Sequence, residues 1–129
     1  MTKRSAWWKA FLVALSNGAA DAFREQLQLA RELVVLPLAY DGLGGLAAVA
    51  TVHGELERAA RLYGASRAHR SGDPDDPVDV RLRVTFFEPA RVRHGPAAWE
   101  AAAREGAALG FEDAIAFALE RDEHGDPEQ

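Results

Sequence analysis

Four histidines, His53, His69, His94 and His124, are the side chains of this 129-residue sequence best suited to proton transfer or metal ligation. Each falls beside an expected turn or loop. No two stand four positions apart with a third ligand close by, the spacing one helix face needs to grip a zinc ion. At helix ends an imidazolium complements the helix dipole, and that is the role expected of them. Glu55, Glu57 and Glu105 have the chemistry of general acids or bases. Each lies on a polar helix face with arginines at ion-pair spacing, so solvated pairs are expected. Ser16 and Ser66 sit in helical contexts and Ser5 reads as a helix cap, which leaves no nucleophile elbow. Gly42, Gly44 and Gly45 resemble a phosphate loop, but they belong to a segment of helical period with no strand before it. A glycine inside a helix costs about 1 kcal/mol relative to alanine, so this cluster predicts that a neighbouring helix or a ligand comes close to the backbone. The sequence therefore points to no catalytic residue, no metal and no cofactor.

The elements that carry these residues read as helices throughout. Ser5 caps a first helix to about Ser16, with Trp7, Ala10, Phe11 and Ala14 on one apolar face. Asn17-Gly18 ends it. A second helix from about Ala19 to Leu36 sets Phe23, Leu27, Ala30 and Val34 on one side and Arg24, Glu25, Gln28, Arg31 and Glu32 on the other. Pro37 marks the boundary to a third helix that runs to about Val52. The stretch RSGDPDDP at 70–77 is a loop by composition. Beyond it, Val78 to Phe86 alternates apolar and polar residues as a strand does. A lone strand has nothing to pair with, so a helix over about Val78–Arg93, bent at Pro89, is the expectation. Gly95-Pro96 opens a helix to about Arg104, Gly106 and Gly110 bracket a turn, and Phe111–Glu120 forms a last helix before a disordered acidic tail at 121–129.

Within this order, residues 42–70 carry the pattern of a tetratricopeptide-like helix pair. Leu43, Leu46, Ala47 and Ala50 supply its first helix, His53-Gly54 the turn, and Ala59, Tyr63 and Ser66 the small-large-small face of its second. An earlier copy lies 36 positions upstream, where Trp7, Gly18, Leu27 and Ala30 match Leu43, Gly54, Tyr63 and Ser66. The fold class expected is all-α, about seven helices in tetratricopeptide-like antiparallel pairs, forming one domain over residues 1–120. In such a pair the first-helix residues that face away from the partner line a concave wall. Here they are Trp8, Lys9, Leu12 and Ser16, then Asp41, Gly44, Ala48, Thr51 and Val52. A wall of small residues flanked by tryptophan suits an apolar helix or a flat ligand. The alternative is that helices after Val78 pack onto it and complete the core, burying Phe86, Phe87, Trp99 and Phe111. Trp7 and Trp8 diverge by about 100° on a helix. One of them is thus left near the surface, as an anchor for a second copy of the chain or as an end cap.

Composition narrows the function classes. The sequence has no cysteine, hence no disulfide framework and no thiolate metal site. Its formal charge is −5 at neutral pH. Five acidic residues and one arginine in the last ten positions account for most of it. A nearly neutral body with scattered arginines and an acidic end disfavours direct binding to nucleic acid. No cleavage site follows the apolar stretch near the start, and no run approaches the ~20 residues of a membrane span. A cytoplasmic protein is expected.

The second helix pair and the C-terminal helices also resemble the helical region of large bacterial ATP-binding regulators of the LuxR type. The matching residues are His53-Gly54, the run from Arg58 to Ala65, Gly95, Trp99 to Ala102, Glu105-Gly106 and Ala114 to Leu119. The resemblance implies a sensor or protein-interaction module that sits beside an ATPase domain and a DNA-binding helix-turn-helix. The phosphate loop GxxxxGK[ST] and a helix-turn-helix are not found in this sequence, so those two roles do not transfer. The function expected is a non-catalytic regulatory or adaptor module that binds a protein or peptide, a second copy of the chain in a homodimer being the simplest such partner, through Trp8, Leu12, Asp41, Gly44, Ala48, Thr51 and Val52. The alternative is an accessory protein or enzyme that holds a small hydrophobic ligand between the repeats and the C-terminal helices, near Thr51, Tyr63 and Phe86 or Trp99. A fragment of a longer regulator is a third possibility.

Overall fold

A stretch of seventeen residues, Leu36–Val52, carries a single charge, Asp41, and is otherwise almost all aliphatic, glycine or alanine. A helix apolar on most of its sides has to be enclosed by others. The computed structural model describes Gly18 and residues 20–68 and 77–124, which contain helices and no strand. Three helices come first, α1 (Ala20–Leu33), α2 (Leu36–Val52) and α3 (Leu56–Ala68). Next, α4 (Pro77–Leu82), a π-helical segment (Arg83–Phe87) and α5 (Glu88–His94) follow one another without a break. They are followed by α6 (Pro96–Ala107) and α7 (Phe111–His124). The all-α expectation is met. The first expected helix, over 5–16, lies outside the described residues, as does the tail after His124.

α2 takes the central place. It packs on α1 along one side and α3 along another, touches the π segment and meets α7. Ten of its residues are buried. Leu27, Leu43, Leu62 and Ile115 are the largest side chains wholly removed from solvent, one each from α1, α2, α3 and α7. Each contributes roughly 1.5–3 kcal/mol relative to exposure, so four helices share one core.

Glycines set how closely the helices approach. A Cβ on Gly42 would stand 2.9 Å from the Leu27 side chain, and one on Gly45 would run into the Phe23 ring. α1 therefore lies directly on the glycine face of α2, the close packing that the cluster predicts. Gly44 faces the other way, toward the Ser66 hydroxyl of α3, which donates to the Tyr40 carbonyl at 3.0 Å. The tightest crossing is between α3 and α6. A Cβ on Gly64 would overlap the Ala103 carbonyl, and one on Gly106 would overlap the Arg61 carbonyl. As residue numbers rise on one helix they fall on the other, so the two run antiparallel. Gly106 therefore lies inside α6 and buried, not at the edge of a turn as its position near Gly110 suggests.

Two helix ends are closed by the same backbone device with different residues. After α2 the Glu55 N–H donates to Ala50 O at 2.9 Å and the Gly54 N–H to Thr51 O at 3.1 Å, with Gly54 at φ 79°. This is the pattern in which a left-handed residue ends the helix, and glycine is its natural occupant. After α1 the Val35 N–H donates to Ala30 O at 3.0 Å, but the left-handed position is Val34 at φ 54°. This ends α1 at Leu33, three residues before the expected Leu36. Pro37 then falls in the first turn of α2, where it lacks only an N–H that has no use.

The alternating segment at 78–86 is helical, as the missing strand partner requires. Pro89 acts upstream of itself. Its ring has no N–H and crowds the carbonyl four residues back, Thr85. The backbone widens over Arg83–Phe87, where Glu88 N–H reaches Arg83 O, five residues behind. At the C-terminus α7 continues to His124, four residues past the expected end, because no breaker intervenes before Gly125.

Two tests follow from this packing. Gly64→Ala and Gly106→Ala should each destabilise by about 3 kcal/mol or more, because backbone cannot move aside as a side chain can. Gly110→Ala, with nothing within 4 Å of the added carbon, should cost less than about 1 kcal/mol in the same urea titrations. Val34→Asn should raise the unfolding free energy by about 1 kcal/mol, since asparagine tolerates the left-handed conformation that a β-branched residue resists.

Candidate functional site

The α3–α6 crossing is tight in its middle and opens to one side. There α3, α6 and the end of the π segment with α5 surround an open cleft of about 650 Å³. Its floor is aromatic. The Tyr63 ring lies 4.7 Å from Phe87 and 5.9 Å from Trp99 between centroids, tilted by 49° and 45°. Tilted arrangements at these separations suit the ring quadrupoles. Trp99 is only 3% exposed, and Phe87 is buried. Tyr63 was expected to face α2; it turns instead to the C-terminal helices, which offer it two rings.

Charge around the cleft is uneven. Arg91 is occupied: its Nε and Nη2 donate to Glu100 at 3.3 and 3.0 Å, and its Nη1 stands 3.9 Å from Glu88. Arg67 and Arg104 also line the cleft, and neither makes a hydrogen bond or ion pair with any described residue. The indole N–H of Trp99 and the hydroxyl of Tyr63 likewise have no partner there. Just beyond the crossing, Arg61 joins Glu57 at 2.6 Å and Glu105 at 2.8 Å. The hydrogen bond with Glu105 holds the Arg61 proton more firmly than in an isolated arginine, against partial desolvation, with both carboxylates adding attraction. A raised value in the folded state means stabilisation that is complete below the unfolded value and lost only in strong alkali. The pairing is insensitive to pH near neutrality. It also confirms Glu57 and Glu105 as partners of an arginine on a solvated face.

A second open cleft, about 630 Å³, lies on the other side of the π segment. Thr51, Val52, Phe86 and Arg93 border it. The Thr51 hydroxyl donates to the Ala48 carbonyl at 2.7 Å and is not available as a donor to anything else. Adjacent phenylalanines thus face different clefts, Phe86 the second and Phe87 the first.

The expected groove residues separate accordingly. Trp8 and Leu12 lie outside the described residues. Asp41 is exposed, Gly44 turns toward Ser66, Ala48 is fully enclosed and Thr51 is 6% exposed. Ala48 cannot be a contact residue while the core is intact, because α2 is covered on the side the repeat pattern leaves open. Among the expected residues that are described, Thr51 and Val52 border the second cleft. His53 and His94 end α2 and α5, and His69 and the His124 side chain lie outside the described residues. Among the described residues no three His, Asp or Glu side chains gather as a metal site, and no helix is long and apolar enough to cross a membrane.

Of the first cleft's residues, Tyr63 and Trp99 appear in the small-ligand alternative read from sequence, whereas Arg67, Arg91 and Arg104 do not, because the lining comes from four separate elements. Arg67 and Arg104 each look like an ordinary solvated arginine in sequence. The usable signal was the small-residue spacing of Ala60 with Gly64 and of Ala102 with Gly106, which marks two helix faces that can touch. No family model, no curated protein and no solved structure matches the chain.

The Ser66 bond tests how the α2–α3 pair is held. Ser66→Ala should cost about 1 kcal/mol by thermal denaturation, because the Tyr40 carbonyl keeps a helical N–H partner when the hydroxyl is removed.

Proposed function

We propose that this chain is a non-catalytic binding module, a cytoplasmic regulatory or adaptor domain of the kind implied by its resemblance to the helical region of LuxR-type regulators. The observation that carries the reading is the aromatic-floored cleft beside the α3–α6 crossing, with two arginines that have no partner among the described residues. Guanidinium, indole N–H and phenol are recognition groups. They donate hydrogen bonds and stack, and a fixed backbone crossing holds them in place before any partner arrives. A second reading, an accessory protein that holds a small molecule, is favoured by where the cleft lies, between the helix pairs and the C-terminal helices. Its volume is within the range of small-ligand sites, about 300–1,000 Å³.

The test compares the natural protein with an Arg67→Glu/Arg104→Glu variant, each recovered gently from host lysate and weighed by native mass spectrometry. Mass beyond the 14.0 kDa chain is expected on the natural protein and should be missing from the variant. An added protein mass supports the adaptor reading, and a few hundred daltons of compound supports the second. A bare chain in both cases, or the same added mass on both, counts against a binding role for this cleft.

A further inference from the structure

The cleft's groups are specific enough to name a ligand class, an inference that rests on the binding-module reading. We propose that the α3–α6 cleft takes a monoanionic aromatic acid, a ligand that joins one aromatic ring to one carboxylate, supplied as a free acid or as the C-terminal aromatic residue of a polypeptide.

Three arginines and two glutamates line the cleft, a net positive patch on a chain of formal charge −5. Glu88 and Glu100 are satisfied by Arg91, which leaves Arg67 and Arg104 to meet an anion. Gly64 lies against Ala103, so Arg104 stands roughly level with the crossing and Arg67 three residues, about 4.5 Å, further along α3. Two long side chains that far apart can close on one group. A planar carboxylate matches the guanidinium fork, and its single charge balances the one net positive charge of the lining. The ring of the ligand has a counterpart as well. Tyr63, partly exposed and tilted against the buried Trp99, presents an aromatic surface, and guanidinium groups stack on π faces.

An independent observation points the same way. Buried polar groups are almost always hydrogen-bonded. The Trp99 indole N–H belongs to a residue only 3% exposed and has no partner among the described residues. Trp99 lines this cleft, so a ligand oxygen that reached its N–H there would give it one. The other cleft has no such group, because its Thr51 hydroxyl is already bonded within α2.

The experiment is isothermal calorimetry of the full chain with naphthoate, with naphthylmethanol as the uncharged analogue, and with acetate as the anion alone. Naphthoate should bind saturably, naphthylmethanol at least about tenfold more weakly, and acetate not at all. In Arg67→Gln/Arg104→Gln the acid should lose its advantage over the alcohol while the thermal transition stays in place, since neither arginine has a partner to lose among the described residues. Short peptides ending in phenylalanine separate the sources. A free C-terminus that binds more tightly than naphthoate, with binding lost on amidation, identifies a polypeptide end; the reverse order identifies a free acid. Equal binding of acid and alcohol, or an unchanged advantage in the glutamine variant, overturns the proposal. If the glutamate variant still sheds its mass in native spectrometry while naphthoate fails to bind, the ligand class falls and the binding-module reading stands.

Discussion

The contact on which the molecule depends is the meeting of two backbones without side chains between them. Gly64 and Gly106 let α3 and α6 approach until each helix sits against a carbonyl of the other. Interhelical distance is ordinarily set by side-chain bulk, about 8–10 Å between axes. Removing bulk at two positions fixes both the separation and the axial register, since each glycine has one carbonyl to meet. Trp99 and Tyr63 are carried into contact by this register, and the open side of the crossing becomes the cleft. α3 is at the same time bound to α2 through Ser66, so it joins the core built on α2 to the C-terminal helices.

α7 closes the other side of that arrangement with one side chain. Arg58 of α3 donates to the Ala118 carbonyl at 2.8 Å and stands 5.0 Å over the Phe117 ring. A guanidinium can do both because its plane stacks while its edge donates. Ile115 lies wholly buried beneath. The last helix is thus held by apolar burial and aligned by a cation from the same helix that aligns α6.

The sequence was informative wherever local pattern and packing agree. α2 was legible because its apolar character and glycine cluster predict a central helix approached closely, and that is how α1 meets Gly42 and Gly45. The helical state of 78–86 followed from the lack of a strand to pair with, even though its own period says otherwise. Gly106 was misread because a glycine before a second glycine looks like a turn until the partner helix is known. Val34 was invisible as a helix end, since nothing in a valine announces a left-handed backbone. Of the groove expected along Gly44, Ala48 and Thr51, Ala48 is enclosed and Thr51 borders the second cleft, because a repeat pattern gives the faces of one pair and not what the rest of the chain lays over them. The first cleft draws on residues far apart in sequence, and no single segment could announce its arginines.

The widened turn over Arg83–Phe87 has a consequence for how this region can vary. A π turn takes up one residue more than an α turn over about the same sweep, so α5 leaves it in nearly the direction an even helix would give. Deleting one residue within it would restore an even helix and leave everything beyond in nearly the same orientation relative to α4. Ala90 would stay in the core and Arg91 beside Glu100. A one-residue deletion is therefore better tolerated here than in the even helices on either side, where every later side chain would turn by about 100°. Phe86 and Phe87 could each give way to another large apolar residue, since successive positions diverge enough to serve two different clefts.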